Sequence, residues 1–233
     1  MQPHGRDDAC GSSETGFGSH SECALSFESN EGQTDSPVRF LSHGDGYSLF
    51  LTSNEAVFKL RTRADVGAAP SVFRMELAGA HRDARVYGSE KLPGTANYFF
   101  GSDPKKWHSG ISGYGKVNYR GLYKGIDAVF YGNQRQLEYD FEIAPGADPR
   151  QISLSITGAA PRLDGEGNVS LKLPDGELAL KKPIVYQDID GRRKIVDAGY
   201  AISGNRVRFH LAKYDHSRTL VIDPVFTYLT YLV

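Results

Sequence analysis

The chain has 233 residues, 39% of them hydrophobic and 24% charged, with a formal net charge of −1 at pH 7. A chain of this length can bury a real core, as one large domain or two small ones. The near-zero net charge and the lack of any Lys/Arg stripe interleaved with aromatics speak against a nucleic-acid partner, and no apolar run reaches the roughly 18 residues of a membrane span.

The first 24 residues are rich in Gly, Ser, His and acids with hardly any apolar spacing, which predicts a disordered tail over 1–24. Cys10 and Cys23 both fall there, near His4 and His20, but without the tighter paired spacing of a zinc site. Two free thiols in a loose tail are the expectation, with a disulfide as the alternative in an oxidising compartment. The tail shows neither a basic n-region nor an apolar h-region, so no signal peptide is visible in it.

From Leu25 onward the sequence turns to short β-like runs: Val38–Leu41, Tyr47–Leu51, Ala56–Leu60 and, after an Ala/Gly/Pro interruption, Val72–Leu77. The last of these alternates cleanly, and Phe73, Met75 and Leu77 are its predicted inward set. The stretch from Asn97 to Trp107 is different in kind, aromatic and turn-forming without a period. Such a cluster usually plugs the end of a sandwich core under a long loop. Its alternative role is a stacking platform for sugar rings, with Tyr98, Phe99, Phe100 and Trp107 as the ligand-binding candidates.

The strongest pattern lies in the centre. Leu137, Tyr139, Phe141 and Ile143 alternate with Gln136, Glu138, Asp140 and Glu142, the signature of a half-buried strand. Ile126–Tyr131 precedes it across a Gly132-Asn133-Gln134-Arg135 turn, which predicts a hairpin. Pairing Tyr131 with Gln136 puts every apolar side chain on one face and sets Asp127 opposite Asp140. Like charges meeting across a ladder are destabilising, so something must offset them. The expected remedy is ion pairing with Lys116 and Arg120 of the preceding strand, and the alternative is a hard cation such as calcium on Asp127, Glu138 and Asp140.

Beyond this hairpin, runs near 152–156, 169–173, 178–181, 184–189, 199–202 and 207–211 are separated by Gly-containing turns, the rhythm of a sandwich or barrel. Asp164-Gly165-Glu166-Gly167-Asn168 reads as a plain turn, since it lacks the glycine and the closing Glu of a calcium loop. The predicted fold is therefore all-β, an antiparallel β-sandwich-like architecture over 25–225, with room for two packed β subdomains divided near 105–115. No nucleophile elbow, P-loop or zinc-protease motif is present, and no catalytic residue or cofactor is assigned. Paired carboxylates at Asp127, Glu138 and Asp140 leave glycoside hydrolysis as the minor enzymatic alternative.

Several long motifs occur in a family-like order: LSFESNEGQTDSPVRFLSHGDGYSLFLTSNEAVFKLR, NYFFGSDPKKW, KVNYRGLYKGIDAVFYGNQRQLEYDFEIAPGADP, KKPIVYQDIDGRRKIV and YDHSRTLVIDPV. Together they resemble the uncharacterised domain that precedes SBBP β-propeller repeats in large exported bacterial proteins. The resemblance runs from about Leu25 to the C-terminus and carries no enzymatic activity with it. It implies a non-catalytic structural or adhesive β-module, extracellular or in the cell envelope, whose partners are downstream propeller repeats and a cell-surface glycan or protein. The closing segment 226–233 resembles the start of such a repeat, which makes the chain look like a fragment with an unpaired terminal edge strand.

Overall fold

The computed structural model describes residues 25–44, 46–60, 70–133, 136–174 and 176–229. The predicted tail, with both cysteines, lies outside them. Alternation does set the inner faces: in β5 (Val72–Leu77), Phe73, Met75 and Leu77 are buried and the residues between them are exposed. Before it run β1 (Phe27–Ser29), β2 (Phe40–Gly44), β3 (Tyr47–Leu51) and β4 (Glu55–Leu60), each antiparallel to the next. A second consecutive series follows, β6 (Arg85–Phe99), β7 (Trp107–Tyr123), β8 (Ile126–Asn133) and β9 (Gln136–Ile143).

The remaining strands are β10 (Ser153–Thr157), β11 (Pro161–Leu163), β12 (Val169–Leu173), β13 (Gly176–Leu180), β14 (Ile184–Ile189), β15 (Arg192–Val196), β16 (Ala198–Ser203), β17 (Arg206–Leu211), β18 (Leu220–Asp223) and β19 (Val225–Leu229). They extend the two series into wings. β10 adds to β5, and β17 and β16 follow it. On the other side the outer edge of β9 is shared end to end by β18, which leads to β14 and β15, and β19, which leads to β13, β12 and β11. β1 pairs with β7 at Phe27↔Tyr114, so both wings spring from β7 and fold over one another. The result is one large antiparallel sheet nearly closed into a barrel.

The wings meet in a single core. Phe58 of β4 lies 4.9 Å from Phe226 of β19, and Phe141 of β9 lies 5.9 Å from Phe209 of β17. Phe58, Phe141 and Phe226 are buried and Phe209 is partly buried; each fully buried side chain contributes about 1.5–3 kcal/mol of transfer free energy, which helps hold one wing onto the other. The range 105–115, where a subdivision was expected, lies in a 3-10 turn and within the uninterrupted β7.

Two expectations are corrected. The central hairpin pairs Asn133 with Gln136 and Phe130 with Tyr139, two residues away from the predicted register. A shift of two preserves which face each side chain occupies, so the apolar face survives; what changes is that Asp127 faces Glu142 and Asp140 faces Val129. The segment beginning at Phe226 is not an unpaired edge. Its described part, to Leu229, is seated between β9 and β13, with Phe226 buried in the core.

Candidate functional site

β6 and β7 are 15 and 17 residues long, well above the strand length of about 5–6 usual in globular proteins. From Thr95 to Ser112 they pair with each other as a two-stranded arm closed by a 3-10 turn, Pro104–Lys106, which Asp103 caps by accepting from the Lys105 N–H. One side of the arm lies on the body. The Tyr98 hydroxyl donates to Glu28 of β1, Ile111 is fully buried, and the His108 ring packs where Gly32, at φ +107°, has no side chain.

Pairing of Tyr98 with His108 and of Phe99 with Trp107 divides the aromatic residues between opposite faces of the arm. Tyr98 and Phe100 stack at 5.9 Å, and His108 meets Phe100 edge-on; Tyr98 and His108 contact the body, whereas Phe100 is 37% exposed. Phe99 and Trp107 face outward, 47% and 43% exposed, in edge-to-face contact at 5.2 Å. The indole N–H of Trp107 donates to the Gly101 carbonyl at 3.1 Å, which fixes the exposed ring in place. The cluster thus does not plug the core. Of the candidates, Trp107 is presented to solvent together with Phe99, while the Tyr98 hydroxyl serves to hold the arm down.

The second constellation is the outer face of β6 to β9 and β18. Register places Tyr87, Asn118, Val129 and Asp140 in one row across four strands. Flanking rows carry Lys116 and Tyr131 on one side, Arg120, Asp127 and Glu142 on the other. Because Asn118 and Val129 are shorter than these neighbours, the row sinks into a groove of about 480 Å³.

The expected ion pairing is realised in part. Arg120 Nε lies 4.0 Å from Asp127, whose other oxygen accepts from the Gly121 N–H at 2.7 Å, whereas Lys116 pairs with Glu90 of β6 at 2.7 Å. Neither cation is paired with Asp140. That carboxyl accepts from the Tyr131 hydroxyl at 3.1 Å, and the β9 register, Phe141↔Ile222 and Glu138↔Val225, sets it opposite Asp223. Burial, then the Asp223 charge, raise Asp140 to about 7. Burial and the Glu138 carboxylate raise Asp223 as well, against the pull of Arg193 and a hydrogen bond with Asp140. Oδ1 of Asp223 is enclosed and meets no donor from the other described residues, a need that a proton held on Asp140 fills. Such a pair titrates as a unit, and the raised values keep a proton on it to higher pH than isolated carboxyls would.

Asp127, Glu138 and Asp140 are therefore not gathered around one point. Glu138 instead accepts from the Asn133 amide, and among the described residues no group of three or more Asp, Glu, His or Cys is arranged to hold a metal ion. Asp223 was missed because nothing in the local pattern of Leu220–Asp223 tells which distant strand it joins. No helix among the described residues is long and apolar enough to cross a membrane. No curated protein and no solved structure matches the chain. A family model described as a domain of unknown function, DUF7948, matches residues 27–225, and the chain belongs to that family.

Proposed function

We propose that this is a non-catalytic structural or adhesive β-module of a larger secreted or cell-envelope bacterial protein, placed ahead of SBBP propeller repeats, and that its contact element is the tip of the β6–β7 arm. The observation that carries this reading is the Phe99–Trp107 pair, two large rings exposed to water yet fixed by the Trp107–Gly101 hydrogen bond and by the Tyr98 anchor behind them. Apolar rings held in place at a surface lose little conformational entropy on binding, which suits them to a partner with flat C–H faces such as a cell-surface glycan. Co-sedimentation of the chain with insoluble peptidoglycan, chitin and cellulose is the test. Retention on at least one, lost in a Phe99→Ala/Trp107→Ala double variant of unchanged melting temperature, is expected; retention indifferent to that variant removes the arm from the reading.

Asp140 favours a second reading, since an acid raised to about 7 beside a groove has the protonation a glycosidase general acid needs. Reducing-sugar release from a polysaccharide panel, abolished by Asp140→Asn, would replace the non-catalytic reading with this one.

A further inference from the structure

We infer that the groove at the base of the arm, floored by Val129 and Asn118 and walled by Tyr87, Tyr131 and Asp140, is a binding site for a short neutral oligosaccharide, separate from the aromatic tip. Its volume, about 480 Å³, falls within the roughly 300–1,000 Å³ of small-molecule sites.

Charge bookkeeping selects a neutral ligand. The cations Lys116 and Arg120 stand along β7, and the carboxyls Asp127, Asp140 and Glu142 along β8 and β9, so the walls cancel to within one charge, and the raised Asp140 narrows that difference further. Lys116 is already held by Glu90, and Arg120 lies against Asp127. An anionic or cationic ligand would gain one wall and meet the other as repulsion.

Beneath the groove β7, β8 and β9 are paired on both edges, and β6 is the edge strand beside it. A ligand lying in the groove is therefore read by side chains, not by strand addition. Asn118 donates to Ser89 Oγ at 2.8 Å, which turns its carbonyl oxygen into the acceptor on offer. Asp140, beside it in the row, accepts from Tyr131 and keeps further acceptor lone pairs. Sugar hydroxyls, which donate as readily as they accept, match this acceptor-lined floor. The two tyrosine rings and the apolar Val129 floor match the C–H faces of a sugar ring.

The test is a titration of the whole chain, followed by amide NMR, with neutral gluco-, xylo- and manno-configured di-, tri- and tetrasaccharides, alongside uronate- and hexosamine-containing controls. A saturable response to a neutral series is expected, with shifts centred on Asn118, Val129 and Asp140. Val129→Trp, which fills the floor from the solvent side, abolishes it; Tyr87→Ala, on an edge strand where folding is least at stake, weakens it about tenfold. The Phe99→Ala/Trp107→Ala variant leaves it intact, so failure of the groove and failure of the arm are told apart. The inference is overturned by no saturable response to any neutral sugar at tens of millimolar, by a response confined to charged sugars, or by one that survives both groove variants.

Discussion

Tyr119 and Tyr139 are both fully buried in the core and pack on either side of Phe130, with burial pushing both phenols far above their usual range. They differ in one respect. Tyr119 donates to the Thr52 carbonyl at 2.7 Å and so ties β7 to the β3–β4 turn, whereas the Tyr139 hydroxyl has no partner among the described residues. A buried hydrogen bond is worth about 1 kcal/mol net, and an unsatisfied buried hydroxyl costs about 1–3 kcal/mol. Tyr119→Phe is therefore expected to lower stability by about 1 kcal/mol, and Tyr139→Phe to leave it unchanged or raise it by about 1 kcal/mol. Urea unfolding at constant m-value measures both. Equal losses in the two variants would mean that the Tyr139 hydroxyl is satisfied after all.

The elements show which parts of the fold could be read from sequence. Strands with one wet and one dry face, such as Val72–Leu77 and Leu137–Ile143, declare themselves by alternation, and the structure returns them nearly residue for residue. β6 could not be found this way, because an arm with little buried surface has no inside to alternate with; its burial is partial or absent along its whole length. The hairpin register was legible in parity but not in absolute value, since a slip of two residues keeps every side chain on its face. The same limit hid the groove and the Asp140–Asp223 contact, both of which depend on register between strands remote in sequence. The closing strand β19 is paired where an unpaired edge is expected, because apolar character alone does not name its neighbours. Its place in the sheet makes a definite expectation: Phe226 lies 4.9 Å from Phe58 and 5.1 Å from Tyr139, so Phe226→Ala should cost about 3–5 kcal/mol in the same unfolding assay. A loss below about 1 kcal/mol would place the segment outside the cooperative fold.

At the scale of the whole molecule, the acidic seam between β9 and the β18–β19 junction makes stability depend on pH in an unusual direction. Asp140 is raised to about 7, and Asp223 is raised with it. Between the unfolded carboxyl value of about 4 and the folded value of Asp140, the native state binds more protons than the unfolded chain, so its stability falls as pH rises through that window. Above about pH 7, both carboxyls are driven toward ionisation on adjacent strands, and the repulsion acts on the pairing of β9 with β18 and β19. Opposing this, Asp148, Asp164 and Asp215 are held below the ordinary range, chiefly by side-chain hydrogen bonds with Arg150, Asn168 and Ser217. Those groups stabilise the fold above about pH 4, and their contribution is lost only in stronger acid, weakly because they are exposed. The balance places the stability maximum in mild acid. Melting temperature should be higher at pH 5 than at pH 8, and Asp140→Asn should flatten the difference by removing the charge while keeping a hydrogen-bonding side chain beside Tyr131 and Asp223. If the wild-type melting temperature instead climbs steadily to pH 8, or Asp140→Asn leaves the slope as it was, the two carboxyls do not share a proton in the folded state.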